Sequence, residues 1–196
     1  MLSKLKDKCI LPKALLVVVG GAIILSACTT LTPSRSTAAV PQSVNQLDLN
    51  RYVGTWYEIA RLPMYFQRNC ASDVTATYSL NPSGSILVDN RCKKADGSTI
   101  QSIGEATKAN ETGSELKVTF LPEGLRWLPL TKADYWVLAL DDNYQHALVG
   151  TPNRKYLWVL SRTPSMDEAA YQSLLSTAKN QGYDIAKLQR TLHHSR

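Results

Sequence analysis

The sequence predicts an all-β fold: an eight-stranded antiparallel up-and-down β-barrel with a C-terminal α-helix packed on its outside. Two observations support this prediction. Between residues 54 and 162, apolar and polar residues alternate in eight short segments, which is the period of half-buried strands. After residue 165 the apolar period becomes that of a helix. A closed barrel suits eight such strands because it leaves no bare sheet edge.

Turn residues bound each predicted strand. The eight segments cover residues 54–62, 73–80, 85–92, 99–108, 115–121, 133–140, 146–151 and 156–162. The second and third segments are joined by Asn81-Pro82-Ser83-Gly84, residue types that favour tight turns. This turn predicts a hairpin, and the mostly short connections elsewhere favour pairing between strands that follow each other in the chain.

A helix is predicted after the last strand. Ser165 and Glu168 have the spacing of a capping box, and Gly182 is a suitable helix stop. The apolar residues at helical spacing between them are Tyr171, Leu174, Leu175 and Ala178. A single apolar stripe of this kind packs on the barrel, so the helix is predicted to belong to the core rather than to a partner-binding face.

The N-terminus has the pattern of an export signal. A basic region precedes an apolar segment, residues 14–25, that is too short to span a bilayer comfortably and ends in small residues. The run Leu25-Ser26-Ala27-Cys28 resembles the bacterial lipobox, whose cysteine is acylated. Residues 1–27 are therefore predicted to be a lipoprotein signal peptide with lipidation at Cys28, the alternative being an ordinary signal peptide with an incidental cysteine.

The next segment predicts how the protein is held in the cell. Residues 28–45 are rich in Ser, Thr, Pro and Ala without periodicity, which predicts a lipidated flexible tether before a domain at residues 46–196. Thr29, rather than Asp, follows Cys28, which resembles the Gram-negative signal for the outer membrane. The predicted location is the cell outer membrane, lipid-anchored, on its periplasmic face.

Two motifs at the ends of the barrel segment indicate a family. Gly54-Thr55-Trp56 opens the first strand and Arg162 closes the last. This pairing resembles the lipocalins, and from residue 46 to about 188 the chain is similar to bacterial outer-membrane lipocalins and their relative apolipoprotein D. The resemblance implies a barrel floor of Gly54, Trp56 and Arg162, with the guanidinium stacked on the indole. Of the family's Thr-Asp-Tyr motif, only Asp141 clearly matches.

Alternation assigns the barrel interior once Trp56 is placed inward. The predicted inward residues are mostly apolar and are Trp56, Glu58, Ala60, Val74, Ala76, Tyr78, Leu80, Ile86, Val88, Asn90, Leu116, Val118, Phe120, Tyr135, Val137, Ala139, Tyr156, Trp158 and Leu160. Small residues, among them Gly104, favour a narrow cavity, although an eight-stranded barrel can also fill its interior with its own side chains.

This assignment predicts which residues contact a bound ligand. The residues predicted to hold a ligand chain are Ala76, Tyr78, Val88, Val118, Phe120, Tyr135 and Trp158. At the open mouth, Tyr65, Phe66 and Trp127 are predicted to meet the ligand head. These three belong to unusually apolar loops, and two explanations remain open: a lid packed over the mouth, or a surface that touches membrane or guides a ligand in.

The cysteines agree with export. Cys9 leaves with the signal and Cys28 is consumed by lipid, so Cys70 and Cys92 remain in an oxidising compartment. The predicted hairpin brings both to the same end of the sheet, which predicts a disulfide. The alternative is a reactive thiol, as in lipocalin-type prostaglandin synthases.

The remaining sequence shows few motifs typical of catalysis or of metal and cofactor binding. No metal-ligand motif, phosphate-binding loop or catalytic triad is evident, so no metal, cofactor or enzyme activity is predicted. The formal charge of +6 falls to about +3 without the signal, which does not favour nucleic acid. Glu58, if inward, needs a partner, with Arg162 and the tyrosines as candidates. His193 and His194 are predicted to lie in a frayed tail.

The resemblance implies a function. The protein is expected to bind, store or transport a single-chain lipid, a fatty acid or lysophospholipid, for membrane maintenance under envelope stress. The alternatives are a structural envelope lipoprotein with a filled barrel and an enzyme acting on a lipophilic substrate. The sequence leaves the oligomeric state undetermined.

The lipidation site is directly testable. Mass spectrometry of protein extracted from membranes is expected to show loss of residues 1–27 and a mass gain matching acyl chains on Cys28. Cys28→Ala should leave the protein in the soluble fraction because each buried CH₂ of an anchor contributes roughly 0.8 kcal/mol. A Cys28→Ala protein that still fractionates with membranes would contradict the prediction.

Overall fold

The computed structural model describes residues 39–128 and 131–194. The predicted signal peptide, Cys28 and the tether as far as residue 38 lie outside these ranges. Within them, no helix combines the length and apolar character needed to cross a membrane.

Eight antiparallel strands close into a barrel, which confirms the predicted fold class. They are β1 (Gly54–Arg61), β2 (Ser72–Leu80), β3 (Ile86–Lys93), β4 (Thr99–Lys108), β5 (Glu115–Thr119), β6 (Ala133–Leu140), β7 (His146–Gly150) and β8 (Leu157–Ser161). Each strand pairs with the next in sequence, and β1 pairs with both β2 and β8. This last pairing closes the barrel.

Trp56 and Arg162 meet at the closed end of the barrel. The indole of Trp56 is fully buried, and its Nε1 donates a hydrogen bond of 2.8 Å to the Tyr52 carbonyl. The Arg162 guanidinium lies 3.9 Å from the centre of the indole ring. Gly54 has a φ of 98°, and a Cβ there would lie 3.2 Å from Arg162 Nη1. Glycine is therefore required where the arginine crosses β1.

Two β-bulges change which residues of β1 and β6 face the barrel interior, compared with the sequence prediction. The pairing of β1 with β8 shifts between Glu58 and Ala60, and that of β6 with β7 shifts between Val137 and Ala139. Each bulge adds one residue, so the alternation reverses beyond it. Ala60 and Ala139 consequently face outward into a second core. Leu80, also predicted inward, is 38% exposed at the end of β2.

The second core lies between the barrel and a helix, α2 (Glu168–Asn180). Tyr171, Leu174 and Ala178 of α2 are buried there, as the helical period predicts. The predicted cap is wrong: the Asp167 carboxylate, not the Ser165 hydroxyl, accepts hydrogen bonds from the first free amides of the helix. Ser165 instead contributes its carbonyl, which accepts a hydrogen bond from Thr163 Oγ1.

The segment before β1 also packs on the barrel. A short helix, α1 (Leu49–Tyr52), is capped by Asp48 and buries Leu49 and Tyr52. Composition predicts that residues 41–45 belong to the flexible tether, yet Pro41 is buried and the Val44 amide donates to the Val137 carbonyl at 2.8 Å. Ordered contacts therefore begin before residue 46.

The C-terminal tail fills a gap in the barrel wall. β1 and β2 pair only over residues 54–57 and 75–78, and β9 (Gln189–Arg190) pairs with β1 beyond that point. The Asp73 amide donates to the Leu192 carbonyl at 2.8 Å. His194 binds the Asp73 carboxylate; desolvation raises the pKa of this carboxyl, but hydrogen bonds from His194 and Ser72 outweigh it and lower the pKa to about 2. The predicted frayed tail is therefore wrong.

The packing of the barrel floor predicts that Trp56 contributes much more to the free energy of unfolding than Trp127 does. Trp56→Ala is expected to lower the free energy of unfolding by about 3–5 kcal/mol, because it leaves a cavity beneath Arg162. Trp127→Ala should change it by less than about 0.5 kcal/mol, because this indole is 72% exposed. Urea titrations of both variants and the parent measure the difference. Equal losses in the two variants would contradict this account of the floor.

Candidate ligand-binding site

The barrel encloses an apolar cavity of about 460 Å³. This volume lies within the range of about 300–1,000 Å³ typical of small-molecule sites. The filled-barrel alternative is therefore wrong for this structure. Its apolar wall residues include Val74, Ala76, Tyr78, Ile86, Val88, Ala106, Leu116, Val118, Phe120, Tyr135, Tyr156, Trp158 and Leu160.

Most of the residues predicted to hold a ligand lie on this wall. Those on the strands are Ala76, Tyr78, Val88, Val118, Phe120, Tyr135 and Trp158, and Phe66 joins them from the first loop. Tyr65 and Trp127 are outside the wall, with 76% and 72% of their surfaces exposed. Tyr65 carries the Arg68 guanidinium on its ring, and Trp127 Nε1 donates to the Gly124 carbonyl.

The wall also contains residues that the sequence analysis missed. Leu49, Tyr52 and Val53 reach the cavity from α1 and its end, ahead of the first strand, where strand alternation gives no signal. Ile100 and Ser102 line it from β4. These two share a face with Gly104, so extending the alternation along β4 would have found them.

Phe120 narrows the open end. A Cβ on Gly104 would lie 2.7 Å from the Phe120 ring, so the glycine leaves room for the ring to lie against β4. The sequence predicts empty space at Gly104, but Phe120 occupies that space. The phenyl ring is only half-buried, which places it where the cavity meets solvent.

A hydrogen-bonded network ties the first loop to the wall. The buried Glu58 carboxylate accepts from Arg61 Nη1 at 2.6 Å and from Thr191 Oγ1 at 2.5 Å. Gln67 Nε2 donates to the other Glu58 oxygen at 2.9 Å, and Gln67 Oε1 accepts from Trp158 Nε1 at 3.0 Å. The partners predicted for Glu58, Arg162 and the tyrosines, are therefore wrong. The network compensates a charge that would be costly to bury alone.

Three tyrosines cluster at the inner end of the cavity. Tyr135 Oη lies 2.7 Å from Tyr52 Oη and 3.0 Å from Tyr78 Oη. Burial raises the pKa of Tyr78 to about 12 and raises the pKa values of Tyr52 and Tyr135 well above the ordinary one. All three hydroxyls are therefore protonated at neutral pH. Tyr52 also packs on Trp56, so the cluster rests on the barrel floor.

Cys70 and Cys92 form a disulfide beside the mouth. Their Cα atoms are 5.5 Å apart, and both residues contribute to the cavity wall. The bond attaches the loop that carries Phe66 and Gln67 to the end of β3. A bonded Cys70 is not a free nucleophile, so the geometry opposes the reactive-thiol alternative.

The described part of the chain offers no metal centre. No group of three His, Cys, Asp or Glu side chains within residues 39–128 and 131–194 is placed to hold an ion. Asp141, the residue matching the family motif, accepts hydrogen bonds from the amides of Asn143, Gln145 and His146 and so shapes the turn between β6 and β7.

A closed antiparallel barrel around one apolar cavity defines a class of protein that binds small hydrophobic molecules in its interior. Comparisons with known proteins agree. The Lipocalin-like domain matches residues 47–193. The chain belongs to the lipocalin family.

Relatives and solved structures support this assignment. Temperature-induced lipocalin-1 from Arabidopsis thaliana is 47% identical over 151 residues, 76% of this chain and 80% of the relative. Outer membrane lipoprotein Blc from Escherichia coli K12 is 40% identical over 168 residues, 85% and 88% of the two chains. Bovine apolipoprotein D is 31% identical over 158 residues, 77% and 79% of the two chains. Insecticyanin from the tobacco hornworm Manduca sexta, at 22% identity, shares the fold with a TM-score of 0.62 over 79% of this chain and 85% of its own.

The disulfide is expected to stabilise the mouth. Replacing Cys70 and Cys92 by Ser should lower the free energy of unfolding by about 3 kcal/mol, since the bond closes a loop with a sequence separation of 22. Urea titration of the variant and of the parent, each with and without dithiothreitol, measures this loss. The reductant should destabilise only the parent. Alkylation of both cysteines in native, unreduced protein would contradict the bond.

Proposed function

We propose that the protein is an outer-membrane lipoprotein that binds one single-chain amphiphile, a fatty acid or lysophospholipid, inside its barrel. It stores the lipid or moves it at the membrane, and it maintains the membrane under envelope stress. The protein acts by binding alone. The observation that carries this proposal is the apolar cavity of about 460 Å³ inside the barrel, whose wall offers the apolar surface that an acyl chain needs.

The cavity wall supports an acyl chain as the buried part of the ligand. Val88, Val118 and Trp158 line the cavity with apolar surface, and Tyr78 lies at its inner end. Burying such a chain contributes roughly 25 cal/mol for each Å² removed from water. The cavity volume of about 460 Å³ lies in the lower part of the range of about 300–1,000 Å³ for small-molecule sites, which favours single-chain lipids over diacyl lipids.

Polar side chains at the mouth support the placement of the head group there. Asn90 lines the cavity from β3, and Gln67 and Glu58 line it beside the first loop. Arg91 and Asp134 are strand neighbours of the inward Asn90 and Tyr135, so their ion pairs with Asp89 and Lys117 lie on the outer face of the barrel. The Asn90 amide offers both a donor and an acceptor, which can pair with a carboxylate as well as with a zwitterionic head group.

The exposed rings at the mouth favour membrane contact over a lid. Tyr65 and Trp127 present apolar surface to solvent and do not cover the cavity. Arg68 lies on the Tyr65 ring and provides positive charge toward an anionic bilayer surface, whereas Arg126, the sequence neighbour of Trp127, is paired with Glu105 at 3.5 Å. A mouth that touches the bilayer allows a lipid to pass between membrane and cavity without crossing water.

The proposed location rests on the N-terminal sequence and on the relatives. Acylation of Cys28 attaches the chain to the periplasmic face of the outer membrane, and the Escherichia coli relative is by name an outer membrane lipoprotein. Cys28 is outside the described residues, so its test is the mass measurement given above.

Filling the cavity tests the proposal. Ala76 pairs with Trp56 on one side and Asn90 on the other, and it faces the cavity. Ala76→Phe is expected to weaken binding of a fluorescent fatty acid at least tenfold, with a stability cost of about 1–3 kcal/mol from overpacking. Lysophospholipid should displace the probe from the parent protein.

Thr77→Phe is the matched control, because Thr77 is the next residue on β2 and faces the outside of the barrel. It adds the same ring and should leave the affinity within twofold. Wild-type affinity in Ala76→Phe, or no saturable binding of either lipid to the parent protein, would refute the proposed function.

A further inference from the structure

The tyrosine cluster at the inner end of the cavity has more hydroxyl hydrogens than hydrogen-bonded contacts within it. Each hydroxyl carries one hydrogen. The cluster makes two hydroxyl–hydroxyl contacts, Tyr52 with Tyr135 and Tyr78 with Tyr135, and each contact uses one hydrogen. Whichever way the bonds are oriented, one hydrogen is left over. Among the described residues, no other side chain or carbonyl accepts a hydrogen bond from these hydroxyls.

The surroundings make this spare donor costly. All three hydroxyls lie among apolar wall residues such as Ile86, Leu116 and Val118. Their raised pKa values keep the hydrogens in place. A buried donor without an acceptor destabilises whatever state leaves it unpaired. A ligand ending in a methyl group leaves it unpaired, whereas a ligand oxygen at this depth accepts it.

The charges near the tyrosine cluster determine which kind of ligand oxygen can bind there. An ionised carboxylate has about four acceptor sites, far more than one spare hydrogen can satisfy. The cation whose charge acts on the cluster is Arg162, but its guanidinium donates to the backbone carbonyls of Arg51, Tyr52, Thr55 and Tyr144 and does not line the cavity. A carboxylate at this end would therefore be buried without a direct ion pair. A neutral ketone or hydroxyl needs only one donor.

We infer that the inner end of the cavity is a hydrogen-bonding subsite for an uncharged oxygen at the far end of the ligand chain. The inference rests on the proposed function, in which the head group lies at the mouth and the chain end reaches the floor. The ligand class it selects is an acyl chain oxygenated near its methyl end, as a ketone or an alcohol, in preference to the unmodified chain.

A thermodynamic cycle tests the subsite. Saturated fatty acids of graded length and their ω-hydroxy counterparts are titrated into the full chain held in phosphatidylcholine vesicles, with protein-free vesicles as the blank. The protein variant combines Tyr52→Phe, Tyr78→Phe and Tyr135→Phe, which removes every donor of the cluster. At the best-fitting length, the dissociation constant of the ω-hydroxy acid relative to the plain acid should rise about 3- to 10-fold in the variant.

Tyr156→Phe is the matched control. Tyr156 lines the same cavity near Phe66 at the mouth, so its hydroxyl is not part of the cluster. This variant should leave the ratio within twofold of the parent. An unchanged ratio in the triple variant at every chain length, with both acids still bound, would overturn the subsite and leave the proposed function standing. Binding of neither acid to the parent would overturn both.

A spectroscopic measurement covers the case in which the triple variant does not fold. A fatty acid with an isotopically labelled ketone next to its methyl end is bound to the parent protein, and its carbonyl stretch is recorded by infrared difference spectroscopy. Hydrogen bonding in the subsite should lower the frequency below that of the same ketone in hexane. A band at the hexane position would overturn the inference.

Discussion

The contact between Arg162 and Trp56 determines much of the remaining structure. The guanidinium stacks on the buried indole and donates to the backbone carbonyls of Arg51, Tyr52, Thr55 and Tyr144. One side chain thereby joins α1, the start of β1, the turn between β6 and β7, and the end of β8. Arginine suits this position because its planar group presents several donors at its edge while its face lies on an aromatic ring. With this end sealed, the cavity opens only at the other.

The same strands line both the cavity and the outer core. β1 and β6 face the interior over part of their length and the α2 helix over the rest, and a bulge in each strand makes the exchange possible. Ala60 and Ala139 belong to the outer core, so their small side chains do not enlarge the space inside the barrel. The void at the centre of the barrel is instead bounded by Ala76, Val88 and Val118.

Period-two alternation, counted from an inward Trp56, was sufficient to place Tyr78, Val88, Val118 and Trp158, because the strand pairing is regular around those positions. It failed at Ala60 and Ala139, since a bulge adds a residue without a distinctive composition. Tyr52 was missed because it reaches the cavity from a helix of four residues. The partners of Glu58 come from loop and tail residues far apart in sequence, Gln67 and Thr191, which no local pattern brings together. Local periodicity therefore defines the barrel, while irregular segments complete its site.

The tail that fills the gap between β1 and β2 affects when the barrel closes during folding. Its partners Ile59 and Asp73 lie near the start of the domain, whereas the tail ends the described chain. Closure thus depends on contacts of very large sequence separation, which form late because loop-closure entropy must be overcome first. If the chain is exported N-terminus first, as proposed above, the enclosed cavity would not exist until the last strand and tail have crossed. The proposed ligand would then enter the barrel only after export.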